Sequence, residues 1–134
     1  MNMELREKNK KRGIKRMINS FKYSFQGLEY AYKYEQSMLL HAIAVIIVVT
    51  FGIIFDIDKV EWLFCVLFMG LVMATELINT SLEAVVDLVS PNIHPLAKIA
   101  KDTASAAVFI FSLAAAVSGV IIFAPKILEI FKVI

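Results

Sequence analysis

The sequence predicts an all-α integral membrane protein, with three transmembrane helices preceded by an amphipathic helix in the membrane interface. Three observations carry this expectation. Of the 134 residues, 59% are hydrophobic and 19% charged, whereas a soluble domain is nearer half apolar and a quarter charged. Three apolar runs are separated by short polar turns. The basic residues are distributed very unevenly around those runs. The length fits one domain, residues 1–134. The one cysteine, Cys65, lies inside an apolar run, so the chain offers neither a disulfide framework nor a cysteine-based zinc motif.

Residues 1–12, MNMELREKNKKR, form a polar, basic tail. No apolar core or small-residue cleavage site follows them, so they do not read as a cleavable signal. From 13 to 34 the pattern changes. Ile14, Met17, Ile18, Phe21, Phe25 and Leu28 recur at helical spacing, with Lys15, Arg16, Lys22 and Glu29 between them. Beside a membrane segment, such a basic amphipathic helix lies in the interface with its apolar face down. An amphipathic helix packed on protein has the same pattern.

The first span is 38–55, MLLHAIAVIIVVTFGIIF, eighteen residues with one histidine and no formal charge. That is just sufficient for a hydrocarbon core of ~30 Å at ~1.5 Å per residue. After the turn DIDKVE, the second apolar run, 62–75, has fourteen residues and reaches only ~21 Å. It must borrow from ELINTSLEAVVDLV, so the second helix is expected over 60–89. Pro91 and Pro95 break the chain in SPNIHP. The third helix is expected over 95–124, its apolar run from Ala104 to Ala124 ending at Pro125.

Nine of the fourteen Lys and Arg residues precede Tyr34, and Lys98 and Lys101 lie between spans two and three. Lys59, Lys126 and Lys132 fall on the opposite side. The positive-inside rule then places the N-terminus and the 88–103 loop in the cytoplasm and the C-terminus outside. Trp62 falls at the outer interface, where its amphipathic ring is favoured.

Borrowing from ELINTSLEAVVD brings acids to the membrane edge. At ~100° per residue, Glu76, Asn79, Thr80, Glu83 and Asp87 share one helical face, and Leu77, Ile78, Leu82, Val85 and Val86 lie opposite. One carboxylate within the bilayer costs ~2.5–3.5 kcal/mol. Such a stripe is tolerable only where it faces the bundle interior or a wet cleft and meets cations. A solvated cytoplasmic helix end accounts equally well for Glu83 and Asp87 taken alone. The complement lies in KIAKDTASAAV, which places Lys101 and Asp102 at the mouth of span three, while Glu35 stands at the mouth of span one and His94 in the loop. Hard oxygen ligands in small number suit Mg²⁺, which keeps waters and takes one or two carboxylates with substrate phosphates. A lysine nearby suits a phosphate. The pattern suggests phosphoryl transfer at a membrane surface, in which a deeper carboxylate takes a proton from a lipid hydroxyl. Neither a P-loop nor a protein-kinase signature occurs.

The runs ELINTSLEAVVD and HPLAKIAKDTASAAV resemble the signature of the small bacterial membrane lipid kinases, the prokaryotic diacylglycerol kinase and undecaprenol kinase family. The resemblance extends from about Arg16 to Phe123. It implies a homotrimer in the bacterial cytoplasmic membrane, with active sites at the cytoplasmic interface shared between subunits. By position it makes Glu76 the general base and Glu35 and Glu83 the metal carboxylates. Arg16, Tyr23, Asn92, Ile93, His94, Lys101 and Asp102 would contact ATP together with Glu35 and Glu83. Asn79 and Asp87 would support the site, and Arg16, Glu76 and Ser105 would meet the lipid. YSFQG, 23–27, also matches, with Phe25 in place of a tryptophan common in the proteobacterial branch. The loop SPNIHPLAK and the ending IFAPK resemble the Gram-positive branch, which implies undecaprenol as substrate, with diacylglycerol the alternative. No nucleic-acid partner is expected. A reading from another class makes the chain a non-enzymatic proton-path or assembly subunit, with Glu76 and His41 as proton carriers or helix-pairing residues.

Overall fold

The computed structural model describes residues 13–92 and 94–133, so the basic tail 1–12 lies outside the described residues. Four helices follow in order: α1 (Ile14–Tyr34), α2 (Gln36–Ile54), α3 (Lys59–Val89) and α4 (Pro95–Val133). Among the described residues there is no strand. The chain divides into two compact units, one ending at Tyr34 and the other beginning at Glu35.

The first unit is described by α1. Gly13 precedes it with φ +92°, in the region open to glycine. Its carbonyl accepts from the Arg16 and Met17 amides at 3.0 and 3.3 Å, closing the first turn. Ser20 and Ser24 hydroxyls donate back to the carbonyls four residues earlier. Ile14, Met17, Ile18, Phe21 and Phe25 are all exposed, so most of the expected apolar stripe is left uncovered.

In the second unit, α2 and α3 form a helical hairpin. Asp56 closes α2 in the left-handed region, φ 47°, where a short polar side chain is tolerated. The Phe55, Asp56 and Ile57 amides return to the carbonyls of Phe51, Ile53 and Gly52, satisfying carbonyls that a helix end leaves open. Asp58 then caps α3. Its Oδ1 accepts from the amides of Val60 and Glu61 at 2.7 and 2.9 Å, and Glu61 Oε2 accepts from the Asp58 amide at 2.8 Å. This reciprocal pair is a capping box.

α3 packs mainly along α4 and less extensively against α2. Lys126, late in α4, pairs with Glu61, early in α3, at 3.1 Å, while Lys101, early in α4, pairs with Asp87, late in α3. These two pairs, at opposite ends, show that α3 and α4 are antiparallel. The core sits at the hairpin end. Ile57, Cys65, Ile122 and Phe123 are buried there, packed by Val48, Phe55, Trp62, Met69 and Ile127. Phe51, Phe55 and Phe123 make mutual ring contacts at 5.8–6.2 Å between centroids.

α2, α3 and α4 are each long and apolar enough to cross a membrane. The third helix departs from expectation at one point: it does not stop before Pro125 but continues to Val133. Proline forfeits one i→i−4 bond and crowds the preceding turn. Here Lys126 is tied to Glu61, and Ile127 packs on the core, so the chain immediately beyond the proline is held in helical register.

Candidate active site

The acid stripe of α3 runs from the bundle interior to its edge, and burial falls along it. Glu76 is 4% exposed and is the one buried charged residue among the described positions. Asn79, Thr80 and Glu83 are half-buried, and Asp87 is exposed. On the other side of α3, Ile78 and Val85 are exposed. The inner part of the stripe thus faces the bundle, while Ile78 and Val85 face outward and Leu77, Leu82 and Val86 are half-buried. This is the arrangement that makes intramembrane acids tolerable.

Each acid meets a different partner. Ser37, in the first turn of α2, donates its hydroxyl to Glu76 Oε1. His41, one turn further along α2, presents Nε2 to Glu76 Oε2 at 3.8 Å, within ion-pair reach and beyond hydrogen-bond length. Ser37 and His41 stand at i and i+4, so they share one face of α2. Ser37 is not singled out by the sequence, and His41 enters there only in the non-enzymatic reading, as a proton carrier or helix-pairing residue. The available signal was two polar residues at helical spacing in an oily helix.

Asn79 Nδ2 donates to Glu83 Oε1 at 3.1 Å, which aims that carboxylate along the helix. Asn79 Oδ1 and Thr80 Oγ1 are buried without a protein partner among the described residues. Native structures rarely leave such oxygens unused. Further out, Lys101 Nζ donates to both Asp87 oxygens at 2.9 and 3.1 Å, joining α4 to α3. Lys101 lies three residues ahead of the apolar run that begins at Ala104. The hydrogen bond to Asp87 raises its pKa, so the ammonium stays charged throughout the physiological range. Asp102 pairs with Lys98 one turn back.

The loop between α3 and α4 is ordered by local bonds. The Ser90 hydroxyl donates to the Asn92 carbonyl at 3.0 Å. His94 starts α4: its Nδ1 accepts from the Leu96 amide at 3.2 Å, and its carbonyl accepts from the Lys98 amide at 3.0 Å. Pro95 follows at the first helical position, where its missing N–H costs nothing. With Nδ1 accepting, the proton of neutral His94 belongs on Nε2, pointing a donor away from the helix. Asn92 and His94 are exposed, and Ile93 lies outside the described residues.

The sequence-predicted residues therefore fall into groups. Glu76, Asn79, Glu83 and Asp87 lie along one stripe, and Lys101 joins it from α4. Glu35 is half-buried at the N-cap of α2, with no side-chain capping bond. Asp102 and Ser105 are exposed on the first turns of α4. Arg16 and Tyr23 are exposed on α1, in the other unit. No group of three or more His, Cys, Asp or Glu forms a metal cluster among the described residues. The donor set still fits a magnesium shared with phosphates, because that ion needs only one or two carboxylates. Glu83 has one oxygen outside its bond to Asn79, and the buried Asn79 Oδ1 is a further hard acceptor on the same stripe.

Below the stripe, an apolar cavity of about 340 Å³ opens between α2, α3 and α4. His41 lines it, with Val45, Val48, Val72, Met73 and Phe68 among its walls.

The chain is similar to known bacterial lipid kinases. The family model described as prokaryotic diacylglycerol kinase matches residues 22–123. An undecaprenol kinase of Bacillus subtilis is 33% identical over 120 residues, covering 90% of this chain and 98% of its own length. A diacylglycerol kinase of Haemophilus influenzae is 38% identical over 98 residues, 73% of this chain and 83% of the relative. The diacylglycerol kinase of Escherichia coli K12 is 32% identical over 114 residues, 85% and 93% of the two chains.

Proposed function

The chain belongs to the prokaryotic diacylglycerol kinase family, and we propose from that membership and the site that it is an ATP- and Mg²⁺-dependent lipid kinase acting on undecaprenol. The observation that carries the reading is the gradient along α3. A buried carboxylate, Glu76, sits where a bilayer lipid can reach it, and Lys101 with the outer acids sits where a water-borne nucleotide can.

In this reading Glu76 accepts the proton of the lipid hydroxyl. The alcohol oxygen forms a bond to the terminal phosphorus of ATP, the bridging P–O bond breaks, and ADP leaves. Glu35 and Glu83 hold the magnesium, whose chemistry is to neutralise phosphate charge and align the phosphates. Asn79 fixes Glu83. Lys101 donates to the phosphates, its position set by Asp87. His94 and Asn92 from the loop and Asp102 from α4 complete nucleotide binding within the spanning unit; the family resemblance assigns Arg16 and Tyr23 to the nucleotide as well. Ser105 borders the lipid side, and the family resemblance gives Arg16 a lipid contact too. The exposed apolar stripe of α1 suits the membrane interface, and the reading includes a homotrimer. The basic residues orient the site toward the cytoplasm. Undecaprenol is preferred because the Bacillus subtilis relative, named an undecaprenol kinase, aligns over 98% of its length.

The test is phosphate transfer by purified protein in detergent from labelled ATP, with undecaprenol and diacylglycerol side by side. Both alcohols give product, undecaprenol with the higher kcat/KM. Glu76→Gln assembles normally and loses turnover by about 10²–10⁴. Near-normal turnover in that variant removes Glu76 as the base. Wild-type protein without product on either lipid overturns the kinase reading.

A further inference from the structure

We propose that His41 is a further residue of the acceptor side, which orients the lipid hydroxyl onto Glu76 at the mouth of the apolar cavity. This rests on the kinase reading and on Glu76 as base. Three observations carry it.

The two oxygens of Glu76 are not equivalent. Ser37 donates to Oε1, while Oε2 faces His41 Nε2 across 3.8 Å. That gap is too long for a direct hydrogen bond. It suits a bridging oxygen: a hydroxyl placed about 2.8 Å from each atom closes a triangle on this base. The hydroxyl then donates its hydrogen to Oε2 and accepts from Nε2–H. Its remaining lone pair is directed away from both, toward an incoming phosphorus. Oε2 is thereby the oxygen that takes the proton, and Oε1 is the one Ser37 holds.

His41 also lines the apolar cavity, together with residues of all three spanning helices. Apart from His41, the cavity's one titratable lining group is Cys65; the polar groups from α4 are the hydroxyls of Ser112 and Ser118. A long apolar chain whose hydroxyl bridges Glu76 and His41 has its tail at the entrance to this space. An alcohol is selected at such a site because a half-buried donor and a buried acceptor are both satisfied by one hydroxyl. An alkane satisfies neither.

Finally, His41 stands apart from the nucleotide machinery. Among the described residues its one acidic neighbour within 4 Å is Glu76. Substitution there is expected to change the chemistry of the alcohol without touching ATP.

The test uses full-length protein in detergent with a long-chain lipid alcohol. His41→Phe keeps ring volume and removes the donor. It lowers kcat about ten- to a hundredfold while KM for ATP stays within about twofold, as an interaction confined to the acceptor predicts. His41→Gln, which restores an N–H donor, recovers most of the turnover. A kcat unchanged in His41→Phe, a KM for ATP that rises in step, or a His41→Gln as impaired as the phenylalanine variant overturns the proposal. Wild-type and Glu76→Gln are run in parallel. An inactive wild-type protein is a failure of the kinase reading. An active wild type, a dead Glu76→Gln and an unaffected His41→Phe is a failure of this inference alone.

A second measurement does not depend on the phenylalanine variant assembling. The chain contains two histidines, His41 and His94. In protein labelled with ¹⁵N-histidine, with His94→Asn for assignment, the His41 imidazole resonances move when a long-chain alcohol is added without ATP. They stay in place with the corresponding alkane. No alcohol-specific movement overturns the proposal.

Discussion

Glu76 and Asp87 occupy the same helical stripe, yet their surroundings give them different work. Glu76 is enclosed and met by two side chains of α2, whereas Asp87 lies 65% exposed and spends both oxygens on Lys101. A base must reach a buried alcohol; a carboxylate that aims a lysine needs only to hold it. In the proposed site Lys101 is a charge-assisted donor to the nucleotide phosphates. Lys101→Ala therefore raises KM for ATP about tenfold or more, with a smaller effect on kcat, read from initial rates at varied ATP. If KM and kcat are both unchanged, Lys101 does not handle the nucleotide. The acids of this stripe were legible in the sequence because their i, i+3, i+4, i+7, i+11 spacing is a one-dimensional signal. Their partners were not. Ser37 and Glu76 are 39 residues apart, and only the packing of α2 on α3 decides which face of α2 meets the stripe.

The helices themselves followed from apolar run length, but their ends required chemistry that run length does not encode. Asp58 with Glu61 is a readable start signal for α3. Pro125 reads as a stop and is not one, because Lys126 and Ile127 are anchored on the core. The hairpin between α2 and α3 depends on one close approach. A Cβ on Gly52 would stand 2.6 and 2.7 Å from ring atoms of Trp62, and 3.1 Å from Ile57. The indole is rigid and cannot withdraw by a rotamer adjustment of its tip. Gly52→Ala is expected to destabilise by about 1–3 kcal/mol, seen as a lowered thermal midpoint in detergent. Gly119→Ala, where an added Cβ meets nothing within 4 Å, is the matched control. Equal midpoints for the two variants would remove Gly52 as the packing determinant. The sequence placed Trp62 at the outer interface, and a glycine across from it gives no signal until α2 and α3 are brought together.

At the scale of the whole molecule, the two ends of the spanning unit are built differently. The Asp58 end holds the buried apolar core, and the Glu76–Asp87 end holds polar and ionic contacts between helices. A bilayer rewards packing where no ligand enters, and it tolerates charge only beside a wet cleft. The proposed ATP site therefore falls on the side that the positive-inside rule assigns to the cytoplasm, where eleven of the fourteen Lys and Arg residues lie. This gives an orientation test that does not use activity. In a Cys65→Ala background, Lys59→Cys reports the hairpin end and Asn92→Cys the loop end, both at exposed positions. In intact cells, a membrane-impermeant maleimide labels the Lys59→Cys protein and leaves the Asn92→Cys protein unlabelled. After the membrane is permeabilised, both are labelled. The reverse pattern in intact cells would put the acid stripe on the side without ATP, and a kinase with Glu76 as its base could not operate there.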